Sequence, residues 1–125
     1  MSICYDLRFP ELYRAYAPVD LLLCPAAFAR ETGAAHWELL LRARAVENQC
    51  YAAGVGQCGC NPDSGFPLFG HSLIADPWGD VVAFAAPELQ EGVVRAELSR
   101  TRLSEVRNRL PALAGRRPGL CGPIK

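Results

Sequence analysis

The stretch Ser2-Ile3-Cys4-Tyr5-Asp6-Leu7-Arg8-Phe9-Pro10-Glu11-Leu12 constrains this chain more than any other. A short apolar lead ends at a cysteine, a polar turn follows, and Pro10-Glu11 opens a helix. Proline suits the first helical position because its missing N–H would have no partner there. Glu11 in the first turn suits the positive end of the helix dipole. The pattern is therefore the end of a strand, a sharp turn and a helix, with a thiol at the turn. A thiol so placed is accessible, and backbone N–H groups around it favour the thiolate.

The rest of the chain supplies elements for an α/β or α+β domain. The first helix is expected over Pro10–Ala17, with Leu12, Tyr13, Tyr16 and Ala17 near one face, and it stops at Pro18. Leu21-Leu22-Leu23-Cys24 is a continuous apolar run, the pattern of a strand buried on both faces. Arg30-Glu31-Thr32-Gly33 reads as a polar loop with Thr32 as a helix cap, before a long helix from Ala34 to Asn48. Trp37, Leu40, Leu41, Arg44 and Ala45 recur there at helical spacing, and Glu38, Arg42 and Glu47 supply the polar face. Cys50–Gly56 reads as a buried strand of small residues, and Cys58–Gly70 as a loop. His71–Ala75 and Val81–Phe84 read as a hairpin across the turn Asp76-Pro77-Trp78-Gly79-Asp80. After a loop at Pro87–Gly92, a last strand is expected over Gly92–Leu98 and a helix over Ser99–Leu110. The segment 114–125 reads as a basic, Pro/Gly-rich tail.

Two further blocks accompany the cysteine stretch. One is Thr32-Gly33-Ala34-Ala35-His36-Trp37-Glu38-Leu39-Leu40, running into Arg42-Ala43-Arg44-Ala45-Val46-Glu47-Asn48. The other is Gly70-His71-Ser72, running into Asp76-Pro77-Trp78-Gly79. Together with Cys4-Tyr5-Asp6-Leu7-Arg8-Phe9-Pro10-Glu11-Leu12 they resemble the nitrilase, or carbon–nitrogen hydrolase, superfamily, and within it the branch of deaminated glutathione amidase and omega-amidase. The resemblance runs through nearly the whole chain in the family's order. It implies a four-layer α-β-β-α sandwich, of which residues 1–125 would form the C-terminal half as one partial domain. Met1 is then expected to be internal to a longer protein.

The resemblance also implies a chemistry: hydrolysis of linear amide bonds in small carboxylate-bearing molecules through a cysteine thioester. Cys4 would be the nucleophile and the backbone N–H of Tyr5 an oxyanion donor. Phe28 and Thr32 fall where the family has pocket walls; their alternatives are packing and helix capping. Arg8 either binds a substrate carboxylate through its fork or ion-pairs with Asp6, Glu11 or Glu47. The family's catalytic Glu and Lys lie far upstream of the cysteine, whereas three residues precede it here and Lys125 is the single lysine. None of Glu11, Glu38 and Glu47 matches the catalytic Glu by motif. Two function classes therefore stay open, an amidase that is inactive as this isolated piece and an inert homologue that only packs against a partner. A papain-like pairing of Cys4 with His36 or His71 is a third arrangement, since such residues meet in space rather than in sequence.

Bulk properties narrow the field. Formal net charge is zero, with 13 basic and 13 acidic residues, which leaves no electrostatic footprint for nucleic acid or an anionic membrane surface. No apolar run is long enough to span a bilayer. The six cysteines are unevenly spread, and Cys58-Gly59-Cys60 lacks the second pair of ligands a zinc site needs, so reduced thiols, no metal and no cofactor are expected. Cytoplasmic localisation is expected, and the full-length form is expected to be a homodimer or higher homo-oligomer through the helices beside the active site.

Overall fold

A computed structural model describes residues 1–86 and 91–117. The chain begins extended alongside a strand, with the Ser2 N–H donating to Leu23 O at 2.9 Å. A short 3-10 helix, Cys4–Arg8, and helix α1, Pro10–Tyr16, follow, with Pro10 opening α1. Strand β1 (Leu21–Ala26), helix α2 (Arg30–Asn48), strands β2 (Tyr51–Gly56), β3 (Leu73–Ala75) and β4 (Val81–Phe84), and helix α3 (Arg100–Arg109) complete the order. The sheet runs β1-β2-β3-β4. The β1–β2 pair is parallel, joined through the crossover helix α2, and the two later pairs are antiparallel. The architecture is α/β, with a mixed sheet.

The core forms where α1 and α2 meet one face of this sheet. Leu22 and Cys24 of β1, Ala52 of β2 and Leu73 and Ala75 of β3 pack there with Trp37, Leu41 and Ala45 of α2 and Tyr13 of α1. Trp37 also donates its indole N–H to His71 O at 2.7 Å, which fixes the helix at one height on the sheet. Close approach depends on Gly54: a Cβ there would lie 2.3 Å from Leu41 Cδ1 and 2.6 Å from Trp37 Cζ2. Neither side chain has room to retreat, both being buried. Gly54→Ala is expected to destabilise the fold by about 1–3 kcal/mol through overpacking. Equilibrium urea unfolding reads this as a lower midpoint; an unchanged midpoint would show that α2 floats on the sheet.

Several expectations need correction. β1 is not buried on both faces: Leu22 and Cys24 are buried, while Leu21 and Leu23 are 37 and 42 % exposed. Val55 of β2 is exposed as well. One apolar sheet face is thus packed by helices and part of the other is open, the form that one half of a two-sheet sandwich takes. Arg30–Gly33 is not a loop but the first turn of α2, and Ala29, not Thr32, occupies its cap position. Gly33 reads as a breaker in sequence, yet it is helical because the Phe69 ring packs where a Cβ would be, with Phe69 Cβ only 2.3 Å away. Tyr16 does not join the buried face of α1; it is 40 % exposed. No strand forms over Gly92–Leu98, although Val94 and Ala96 are turned partly inward and Val93, Arg95 and Glu97 outward. The alternation is real, but no sheet edge among the described residues pairs with it. The expected loop at Pro87–Gly92 and the tail 114–125 lie largely outside the described residues.

Helix α3 is tied back to the sheet by polar contacts. Its cap Ser99 accepts the Arg102 N–H, Arg102 pairs with Asp76 at 2.8 Å, and Arg107 reaches Asp20, Val19 O and Gln49 O. Asp76 is buried and also accepts the N–H groups of Trp78 and Asp80, so one carboxylate organises both the hairpin turn and the docking of α3. Trp78 stacks under the Arg109 guanidinium, 4.6 Å from its ring centroid. Among the described residues no helix is long and apolar enough to cross a membrane.

Candidate active site

Cys4 sits at the first residue of the 3-10 helix with φ +48°. That left-handed conformation is unfavourable for a residue with a Cβ and persists only where the surroundings hold it. Here they do. Ile3 N–H donates to Asp6 Oδ2 at 2.9 Å while Asp6 N–H donates to Ile3 O at 3.0 Å, closing a tight loop around Cys4. Leu7 is fully buried, and its carbonyl accepts both Nε and Nη2 of Arg44 at 3.1 and 2.8 Å. Arg44 is itself buried, pairs with Glu47 at 2.9 Å and stacks on the Tyr13 ring at 5.4 Å. The turn that carries the thiol is thus clamped from α2.

The thiol lines an open cavity of about 440 Å³. Its walls are Ile3, Cys4, the end of β1 at Pro25–Ala27 and the end of β2 at Val55–Gln57. These are the carboxyl ends of two parallel strands, the place where open α/β sheets bind ligands. Tyr5 follows in the first turn of the helix, where backbone N–H groups have no intrahelical partner.

Arg8 lies between two aromatic rings, 5.4 Å from the Tyr5 centroid and 5.3 Å from that of Phe28. Its Nη1 is 3.3 Å from His36 Nδ1. Since a guanidinium only donates, His36 accepts here through an unprotonated Nδ1. The alternative ion pair with Asp6, Glu11 or Glu47 does not form; Asp6 is engaged by Ile3 and Glu47 by Arg44. Among the described residues the Arg8 guanidinium has no carboxylate partner. Phe28 is buried against Trp37, with centroids 5.0 Å apart, and so serves packing as well as the Arg8 stack. Thr32 donates its hydroxyl to Ala29 O within the first turn of α2. Cys4 therefore lines the cavity, Tyr5, Arg8 and Phe28 come together without being among its lining residues, and Thr32 contacts its own helix.

Neither histidine is hydrogen-bonded to Cys4. His36 is engaged by Arg8, and His71 lies between Glu38 Oε2 at 3.3 Å and Ala85 O at 3.2 Å. Glu38 also pairs with Arg42. Among the described residues no cluster of three or more His, Cys, Asp or Glu side chains forms a possible metal site.

Other groups near Cys4 carry no mark in the sequence. Arg44 falls in the sequence only as one position of the helical stripe of α2, and Gln57 lies between the expected strand Cys50–Gly56 and the expected loop Cys58–Gly70. Ser2, Tyr13 and Cys24 are all buried, and Ser2 Oγ lies 2.5 Å from Tyr13 Oη. Burial pushes the Tyr13 hydroxyl and the Cys24 thiol above their usual titration ranges, so both stay neutral. Cys50 is likewise pushed up to about 12 by burial and is inert.

Comparison with known proteins places these features. The family profile "Carbon-nitrogen hydrolase" matches residues 1–108. The chain is 44% identical over 126 aligned residues to a deaminated glutathione amidase of Bos taurus, covering 99% of this chain and 38% of that protein. It is 41% identical to an omega-amidase of Bos taurus, covering 96% of this chain and 43% of that protein. Among solved structures, the Caenorhabditis elegans NitFhit protein superposes with a TM-score of 0.86 at 43% identity, over 96% of this chain and 29% of that one. An amidase from Nesterenkonia sp. superposes with a TM-score of 0.72 at 32% identity, over 95% of this chain and 40% of that one. The chain thus spans less than half the length of the curated relatives it matches.

Proposed function

This chain belongs to the carbon–nitrogen hydrolase family, and from that premise we propose that residues 1–125 supply the nucleophile-bearing half of a thiol amidase. Its substrates are linear amides of small carboxylate-bearing molecules. The observation that carries the reading is Cys4, held at φ +48° at the mouth of a cavity beyond the carboxyl ends of β1 and β2. In the reaction Cys4 attacks the amide carbon, and the Tyr5 N–H donates to the developing oxyanion. Ammonia leaves, a thioester remains on the sulfur, and water hydrolyses it to the carboxylic acid and the free thiol.

The family's Glu and Lys are not matched within residues 1–125. Lys125 is the single lysine. Glu38 is engaged by Arg42 and His71 and Glu47 by Arg44, which leaves neither free to act as a base for Cys4. A polypeptide of these residues alone is therefore expected to release little or no ammonia. The inert-partner alternative applies to such a polypeptide, and an assembled protein that contains a suitably placed Glu and Lys would be active. Leu39 and Val46 are exposed on α2 and offer an apolar contact for the proposed homo-oligomer. Cytoplasmic localisation belongs to the same proposal.

Arg8 gives the substrate class its test. A bidentate Arg–carboxylate contact is worth about 3 kcal/mol, or roughly 100-fold in affinity. In the assembled enzyme, Arg8→Ala is expected to raise KM for carboxylate-bearing amides by about that factor, with neutral amides changed by less than about twofold. Ammonia release measured on a matched pair of substrates checks it. Equal losses on both would leave Arg8 a packing residue and remove the carboxylate from the substrate description.

A further inference from the structure

His36 reaches from α2 to the turn that carries Cys4. Arg8 Nη1 lies 3.3 Å from His36 Nδ1, and both side chains are partly buried. A guanidinium donates and never accepts. His36 Nδ1 is therefore the acceptor, and the imidazole is neutral with its proton on Nε2. The Arg8 guanidinium carbon sits 5.4 Å from the Tyr5 centroid and 5.3 Å from that of Phe28. Tyr5 follows Cys4 in the chain and Phe28 follows Ala27, and Cys4 and Ala27 both line the cavity. His36 stands on a fixed base: its neighbour Trp37 is buried against Phe28, with centroids 5.0 Å apart, and donates to His71 O at 2.7 Å.

We propose that His36 is a positioning residue for Arg8: its neutral Nδ1 takes one Nη1 proton and turns the guanidinium so that the Nε–Nη2 edge is left for the substrate carboxylate. The inference rests on the reading of Arg8 as the carboxylate-binding residue and adds the group that orients it. The need for such a group follows from the contacts. Two aromatic faces attract a cation between them, but that attraction is broad and lets the group turn and slide. A hydrogen bond is directional and selects one orientation. A fork set before the substrate arrives also loses less freedom on binding. The kind of acceptor matters as well. An Asp or Glu in this place would neutralise Arg8 and compete with the substrate for its fork. Imidazole accepts without bringing a charge, so Arg8 stays cationic, and among the described residues no carboxylate pairs with it.

The experiment measures ammonia release by the assembled enzyme from succinamic acid, a primary amide with a terminal carboxylate, and from butyramide, the same chain ending in a methyl. The variants are His36→Phe, which keeps a ring but no acceptor, and His36→Asn, which sets an amide oxygen close to the place of Nδ1. Loss of one hydrogen bond to a charged group corresponds to about a tenfold rise in KM for succinamic acid in His36→Phe. Its kcat is expected to change by less than about twofold, and kcat/KM for butyramide by less than about twofold. His36→Asn is expected to recover most of the parent KM. In an Arg8→Ala background, His36→Phe should add less than about twofold, because the two residues act through one contact. A parent KM in His36→Phe, an equal loss on both substrates, or a loss that His36→Asn does not restore would overturn the positioning role. Arg8→Ala made alongside keeps the two readings apart. If it still separates the substrates, the carboxylate reading stands and His36 alone is lost; if it affects both substrates equally, the carboxylate reading falls and the positioning role with it. Should His36→Phe fail to fold, NMR of the imidazole nitrogens in the parent decides: an unprotonated Nδ1 and a protonated Nε2 are expected, and a protonated Nδ1 would overturn the proposal.

Discussion

In an assembled, active form of this protein, Cys4→Ala is expected to lower amide hydrolysis by about 10⁴-fold or more, to the level of the uncatalysed reaction. Removing the attacking atom from a covalent mechanism abolishes the step itself, and losses of this size are what nucleophile deletions cost in other covalent hydrolases. The fold should not suffer in proportion. Cys4 is only partly buried, and alanine keeps the Cβ that the left-handed backbone already accommodates. The expected signature is therefore a variant that binds substrate and melts near the parent temperature but releases no ammonia above background. Cys4→Ser should behave in the same way, because an alkoxide is far harder to form than a thiolate. Steady-state ammonia release with a parallel thermal melt checks both. A variant that retains a tenth of the parent rate would show that the reaction does not pass through Cys4.

The largest effect on stability is expected at Arg44. Its guanidinium is buried, makes two hydrogen bonds to Leu7 O, pairs with Glu47 and lies on the Tyr13 ring. Arg44→Ala strands a buried carbonyl, loses two charge-assisted hydrogen bonds and opens a gap between α2 and the Cys4–Arg8 turn. We expect a loss of about 3 kcal/mol. Lysine keeps the charge but cannot place two donors on one carbonyl, so Arg44→Lys should recover less than half of it. Denaturant titration gives the stability, and Cys4 alkylation in the folded protein gives the state of the turn. Stability within about 0.5 kcal/mol of the parent, the range of an ordinary surface change, would mean that the clamp is not needed to hold the turn.

Much of the architecture was legible because local chemistry points in one direction. Pro10 announces the start of α1, and the Asp76–Asp80 turn announces the β3–β4 hairpin through an aspartate that caps its own turn and a glycine at φ +95°. The spacing of Trp37, Leu41 and Ala45 gives the buried face of α2. What escaped depends on partners that a local pattern cannot name. The alternation over Gly92–Leu98 says how a strand would face, not whether a sheet edge is free to receive it. The run Leu21–Cys24 is apolar throughout, yet only the helix layer among the described residues decides which of its faces is covered. Gly33 signals a break until Phe69, distant in sequence, fills the space beside it.

The candidate site divides in the same way. Cys4 and Arg8 belong to one short motif and were visible together. Arg44 holds that motif from α2 through Leu7 O, and this relation exists only once strand register and helix packing are set. Arg8 shows the limit from the other side. Asp6, Glu11 and Glu47 were the candidate partners in the sequence, and geometry instead gave Arg8 two aromatic rings and a histidine.

The central claim is that amide hydrolysis runs through a thioester on Cys4. The direct measurement takes the protein purified from its source, mixes it with a carboxylate-bearing primary amide, quenches with acid at short times and maps the peptides by mass spectrometry. The account predicts an acyl group on the peptide that contains Cys4, growing as the first ammonia is released and absent from Cys4→Ala. An acyl group on any other residue, or ammonia release with no acyl-enzyme at any quench time, would contradict it.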